Sequence, residues 1–167
     1  KVANPRRAAS FTAAEYYGHP SKEMTVVGIT GTNGKTTTAS LVSAMLKAAG
    51  EKVAQIGTLG TVAEGYPQDK TLTTPDPITL HKVLFDLRQD GFTHIVMEAS
   101  SHAIDQSRVA DVDFNYTVFT NLSPEHLDYH GTMADYFQAK LKLFTALSPA
   151  ATAIVNIETE YGQAISD

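Results

Sequence analysis

Residues 28–36 read Gly-Ile-Thr-Gly-Thr-Asn-Gly-Lys-Thr, set between an apolar run and a long amphipathic stretch. Glycines in such a place let backbone N–H groups converge on an anion, because no Cβ obstructs the tight turn. A strand that ends in glycines and Lys-Thr and then opens a helix builds a phosphate cradle. Here it would consist of Gly31, Thr32, Asn33, Gly34, Lys35, Thr36 and Thr37. Lys35 would reach the β- and γ-phosphates of a nucleoside triphosphate such as ATP, and the Thr36 hydroxyl would hold Mg²⁺. The spacing departs from Gly-x4-Gly-Lys-[Ser/Thr], since Ile29 stands where that pattern has its first glycine.

Further groups could share this chemistry. Glu98 follows the apolar run Ile95-Val96-Met97, where an acid at a strand end holds Mg²⁺ directly or through water. Asn121 through His130 is dense in proton-active side chains. His126 and His130, at i and i+4, have the spacing of a zinc pair, but Leu127, Asp128 and Tyr129 between them supply no glutamate of the His-Glu-x-x-His kind. Ordinary packing or surface histidines are the alternative. Lys140 falls on the apolar stripe of Met133, Tyr136, Phe137, Leu141, Phe144 and Leu147, whereas Lys142 shares a face with Asp135, Gln138 and Thr145. A buried ammonium tends to lose its proton. The neutral amine can then add CO₂ to become a carbamate, unless the lysine snorkels its head to water.

The elements that must position these groups follow from periodicity. Residues 5–17 form a lead-in helix, and Met24 to Thr30 is a β-branched run that predicts a buried strand. From Gly34 to Ala49 a helix is predicted with Leu41, Val42, Met45, Leu46 and Ala49 inward, ended by Gly50. Lys52–Ile56 reads as a strand, followed by a polar stretch with a hairpin around Glu64-Gly65-Tyr66-Pro67. Asp76 as N-cap and Pro77 at the first helical position open a helix with Leu80, Val83, Leu84 and Leu87 inward and Gly91 at its end. Strands at His94–Met97, Tyr116–Thr120 and Ala151–Asn156, with a helix from Thr132 to Leu147, complete the pattern. The fold class is α/β, a mainly parallel sheet flanked by helices. Ligands then sit beyond the carboxyl ends of the strands, at Thr30–Thr36, Thr73-Thr74, Glu98–His102 and Asn121–His130.

At 167 residues the chain has the length of one domain and can bury a substantial core. A net charge of −5 without a basic block argues against duplex nucleic acid as partner. The absence of cysteine excludes disulfides and thiolate metal sites. No apolar run approaches the roughly 20 residues that span a bilayer, and the first residues are not a signal peptide. A cytoplasmic, monomeric enzyme with no membrane partner is the expectation.

Gly-Thr-Asn-Gly-Lys-Thr-Thr, Thr-Thr-Pro-Asp-Pro, Met-Glu-Ala-Ser-Ser-His, Asn-Leu-Ser-Pro-Glu-His-Leu-Asp-Tyr-His-Gly-Thr-Met and Tyr-Phe-Gln-Ala-Lys occur in one order. Together they resemble the central ATPase domain of the Mur ligases, in the branch that adds the third peptide residue to UDP-N-acetylmuramoyl-L-Ala-D-Glu. That family's loop, Gly-x-x-Gly-Thr-x-Gly-Lys-[Thr/Ser], accounts for Ile29. The resemblance implies ATP-dependent amide formation in peptidoglycan synthesis, between the UDP-muramoyl dipeptide and a diamino acid, through an acyl phosphate and with two Mg²⁺ ions. By motif, Thr36 and Glu98 would ligate one metal, and His126 with Glu98 the other, served by Lys140 as its carbamate. Lys35, Glu98, His126 and Lys140 are then the catalytic set. Thr73, Thr74, Ser100, Gln106 and Arg108 match positions that hold the UDP-muramoyl peptide; the fork of Arg108 suits a carboxylate or phosphate.

Asn156-Ile157-Glu158-Thr159 stands where the family shows Asn-x-Asp-Asp. The resemblance also implies residues 1–22 as a helix and linker following an absent N-terminal domain, and 23–167 as a C-terminally incomplete ATP-binding domain, the C-terminal domain being absent. Such a piece would not be active alone. The other readings are a scaffold module completed by a partner chain, or a related amide ligase of the pseudomurein or polyglutamate type. Thr73-Thr74-Pro75 with Ser100-Ser101-His102 favours a muropeptide substrate over folate or cyanophycin-type substrates.

Overall fold

The computed structural model describes residues 1–66 and 72–166. Its element order is α1 (Pro5–Tyr16), a 3-10 turn (Pro20–Glu23), β1 (Thr25–Thr30), α2 (Lys35–Ala48), β2 (Val53–Gly57), β3 (Gly60–Val62), α3 (Pro77–Gln89), β4 (His94–Glu98), α4 (Ser101–Asp105), β5 (Tyr116–Phe119), α5 (Leu127–His130), α6 (Met133–Thr145), β6 (Thr152–Val155) and α7 (Glu160–Ser166). The sheet order is β3-β2-β4-β1-β5-β6, with every pairing parallel except β2 with β3.

β1 runs through the middle of the sheet, and its alternating side chains enter two different cores. Val26 joins Leu80, Leu84, Leu87, Ile95, Met97, Phe119 and Leu143 on one face. Val27 and Ile29 join Ala39, Val53 and Val96 under α2 on the other. Local chemistry sets the helix starts. Asp76 accepts hydrogen bonds from Ile78 N–H and Thr79 N–H ahead of α3, and Thr132 accepts from Asp135 N–H ahead of α6.

Two expectations need correction. Leu41 and Met45 are 61% and 71% exposed, and Ala49, just past the end of α2, is exposed as well. The phosphate-loop end of α2 fixes its rotation, and small Ala39 and Ser43 are the fully covered contacts, with Val42 and Leu46 beside them. The hairpin closes earlier than the sequence suggests. Gly57 pairs with Gly60 across the two-residue turn Thr58-Leu59, because Gly60 takes a left-handed φ of 84° that other residues resist. Glu64-Gly65 is a turn, and Pro67 lies outside the described residues. No helix among the described residues is long and apolar enough to cross a membrane.

Candidate active site

Four parallel strands end side by side, with Ile29 opposite Glu98, Thr30 opposite Phe119 and Ile56 opposite Met97. The segments leaving these strands therefore converge on one place. From β1 the chain enters the glycine loop. Gly31, at φ 147°, lies against β5's end so closely that a Cβ would overlap Thr120 Oγ1. Hydrogen bonding into α2 begins with Thr38 N–H to the Gly34 carbonyl, at 2.9 Å. The N–H groups of Lys35, Thr36 and Thr37 thus have no acceptor within the helix, and Gly34 brings no side chain to cap them. With the positive end of the helix dipole behind them, they form an anion-binding surface.

Lys35 is folded back on its own loop, donating to the carbonyls of Gly31 at 3.0 Å and Thr32 at 2.8 Å. Burial lowers its pKa, opposed by the carboxylates of Glu98 and Glu125. Lys140, only 1% exposed, donates to the same Gly31 carbonyl at 2.8 Å and sits 4.6 Å from the Tyr136 ring centroid. Its pKa is pushed down to about 7, first by burial and then by the charge of Lys35, with Glu125 opposing. Lys142, by contrast, is exposed and paired with Asp105.

Glu98 is fully buried at the end of β4. Its Oε2 accepts from Thr36 Oγ1 at 3.0 Å and Thr58 Oγ1 at 3.2 Å, and its Oε1 accepts from Thr58 N–H at 3.0 Å. A hydroxyl and a carboxylate held together beside a helix N-terminus form a hard-oxygen pair, and their chemistry fits Mg²⁺. Gly57 makes room for this carboxylate, since a Cβ there would overlap Glu98 Oε1.

The remaining residues singled out in the sequence form a chain on one side of Glu98. Thr73 Oγ1 lies 3.3 Å from Thr58 Oγ1. Thr74, fully buried, donates to the Glu98 main-chain carbonyl at 2.8 Å and accepts from Ser100 N–H at 3.1 Å. Its hydroxyl therefore aligns Ser100, which caps α4 through Ala103 N–H. Arg108 donates through Nη1 to the Thr74 carbonyl and through Nε and Nη2 to Gln106 Oε1. Gln106 in turn donates to the Tyr129 hydroxyl at 3.2 Å.

His126 adopts a left-handed φ of 55°, and its exposed ring lies 4.8 Å from that of His102 and 6.1 Å from that of Tyr136. His130 does not join it in a zinc pair. Its Nε2 is 3.0 Å from Ser101 Oγ, and its ring stacks on Tyr136. Tyr136 ties this aromatic group to the loop, its hydroxyl 3.2 Å from Thr32 Oγ1. In the departing segment, Asn156 donates to the Thr120 carbonyl, and Thr159 accepts from Gly162 N–H at the start of α7.

Thr58 and Thr120 are contributors that no motif marks, and Asn121 opens the Asn-Leu-Ser-Pro-Glu-His motif without any sign in the sequence that it meets Asn33. Thr58 comes directly after β2, so the strand-end rule that picks out Thr30 and Glu98 would have found it once the strand's end was set at Gly57 rather than Ile56.

A central parallel strand leading through a glycine loop into a helix, beside a strand ending in a buried acid, defines a P-loop-like α/β domain. Residues 29–167 match the model described as the Mur ligase middle domain, and the chain belongs to the Mur ligase family. It is similar to the UDP-N-acetylmuramoyl-L-alanyl-D-glutamate--2,6-diaminopimelate ligase of Corynebacterium efficiens, at 45% identity over 99% of this chain and 32% of that protein. The ligase of the same name from Pseudomonas putida is 46% identical over 92% of this chain and 31% of its own length. A solved structure of a UDP-N-acetylmuramoyl-L-alanyl-D-glutamate--2,6-diaminopimelate ligase superposes with a TM-score of 0.81 and 29% identity, covering 99% of this chain and 35% of that one. The chain spans about a third of the length of the curated relatives it matches.

Proposed function

We propose that this chain is the ATP-binding core of a MurE-type muropeptide ligase, which joins a diamino acid to the D-Glu carboxylate of UDP-N-acetylmuramoyl-L-Ala-D-Glu. The observation that carries the proposal is the Thr36–Glu98 pair beside the uncapped start of α2, with Lys35 one residue away. In the reaction the D-Glu carboxylate takes the γ-phosphoryl group of ATP and ADP leaves. The neutral amine of the diamino acid then attacks the acyl phosphate. The tetrahedral intermediate collapses to the amide as phosphate departs, and the nitrogen gives up a proton that the phosphate can carry away.

The chain's own residues supply alignment and charge. The loop N–H groups and Lys35 hold the phosphates. Thr36, Glu98 and His126 are assigned to two Mg²⁺ ions, which would neutralise the charge that develops on the transferred group. Thr73, Thr74, Ser100, Gln106 and Arg108 face the muropeptide, Thr74 by fixing Ser100 and Arg108 by its guanidinium. Lys140, neutral in about half the molecules near its pKa, is the amine that would take up CO₂ and present carbamate oxygens to a metal. A cytoplasmic location, a monomeric state and no nucleic-acid or membrane partner complete the proposal.

Calorimetric titration with Mg-ADP tests it. The wild type should bind and Lys35→Ala should not; equal binding by the two would overturn the phosphate assignment. With ATP, UDP-muramoyl dipeptide and L-lysine or diaminopimelate, this chain alone should form no tripeptide detectable by mass, since it spans about a third of the relatives' length and the proposed reaction must align three reactants at once. Turnover would refute that part.

A further inference from the structure

We infer that Asn121 is the positioning residue that sets the phosphate loop in its anion-receiving shape; this rests on the nucleotide-binding role proposed for the loop. The Asn121 carboxamide meets both edges of residue 33. Its Oδ1 accepts from Asn33 N–H at 2.9 Å, and its Nδ2 donates to the Asn33 carbonyl at 3.2 Å. Thr120 Oγ1 donates to the same carbonyl at 2.7 Å, and the Asn121 main-chain carbonyl accepts from Thr32 N–H at 2.9 Å. One side chain thus imitates a neighbouring strand, and only a carboxamide carries the donor and acceptor to do so.

The consequence lies in the geometry of the peptide plane. A trans peptide points its C=O and its N–H in opposite directions. Two donors hold the Asn33 carbonyl down on β5's end, so the Gly34 N–H of the same plane faces the other way, into the mouth of the loop. The Asn33 N–H is drawn off by Asn121 and does not compete. Nothing lies within 4 Å of where a Gly34 Cβ would stand, so no neighbour crowds that point at φ 83°. The bracket from Asn121 fixes the peptide plane that leads into Gly34, and the first bond of α2 holds the plane that leaves it.

Asn121→Ala and Asn121→Asp in this chain test the inference, read by amide hydrogen exchange without nucleotide and, for Asn121→Ala, by Mg-ADP calorimetry. Asn121→Ala should speed exchange at Asn33 about tenfold or more and weaken Mg-ADP about tenfold, the worth of one or two hydrogen bonds. Asn121→Asp keeps the acceptor, so Asn33 should stay protected. Its added carboxylate repels phosphate by itself, so only its exchange is read, and loss of Asn33 protection in it counts against the bracket if Asn121→Ala does not fold. Unchanged Asn33 exchange in Asn121→Ala, or Mg-ADP affinity within about twofold of wild type in that variant, would overturn the bracket. Failure of the wild type to bind Mg-ADP would instead refute the nucleotide-binding role, and exchange at Asn33 would then decide the bracket alone.

Discussion

Lys35 and Lys140 share one acceptor: both ammonium groups donate to the carbonyl of Gly31, at 3.0 and 2.8 Å. They approach it from opposite ends of the chain, one from the start of α2 and the other from the middle of α6. Two cations on one oxygen repel each other, and the more buried of the two yields its proton first.

Removing Lys35 should therefore be felt at Lys140. In Lys35→Ala the repulsion that helps lower the Lys140 pKa is gone, so that pKa should rise from about 7. An NMR titration of the Lys140 Nζ or Cε signal in bicarbonate-free buffer reads it. A pKa that stays put or falls would show that the two ammonium groups do not interact.

Burial of Lys140 has a pH signature. Its folded pKa of about 7 lies below the ordinary 10.5, so between these values the unfolded chain holds a proton that the folded chain does not. Stability then rises with pH across that window, and below it the burial penalty is present in full. Lys140→Met should accordingly be more stable than wild type by roughly 1–3 kcal/mol at pH 6, with the advantage shrinking by pH 9. Urea unfolding at both pH values measures it. A gain that grows with pH would contradict the assignment.

Gly57 makes room for Glu98. Gly57→Ala should push the carboxylate off Thr36, cost about 1–3 kcal/mol of stability, and raise the Mg²⁺ needed for nucleotide binding. Combining it with Glu98→Asp, which shortens the side chain, should recover part of the stability loss. Strict additivity in the double-mutant cycle would mean that the two positions do not touch.

Thr74 tests a structural bond beneath the proposed muropeptide contact. Thr74→Val leaves Ser100 N–H without its acceptor and the Glu98 carbonyl without its donor, at a cost of about 1–3 kcal/mol. Thr74→Ser keeps the hydroxyl and should lose less. Thermal unfolding of the pair checks this, and equal losses would assign the effect to the methyl group instead.

Much of this site is written in local sequence. The glycine loop, the caps Asp76 and Thr132, and the apolar stripe that takes Lys140 inward are patterns of neighbours, and neighbours are what a sequence displays. The contacts of Thr58 and Asn121 are not of that kind. Thr58 meets Glu98 across forty positions, and Asn121 meets Asn33 across eighty-eight, in each case because parallel strands end at the same level. The exposure of Leu41 and Met45 was hidden for the same reason. Helical period places them together, but the rotation of α2 is fixed by the loop before it and by the sheet beneath.

The cradle hangs from β1, hydrogen-bonded along both edges to β4 and β5. In mechanical terms it is a short span anchored on an interior beam and tied to the end of the next one through Asn121 and Thr120. Adjustment to an arriving phosphate thus falls on side chains, above all on Lys35 as it leaves its carbonyls. Little backbone freedom remains to be lost when a nucleotide docks, so the entropy of capture is set mainly by the one lysine that must be re-ordered.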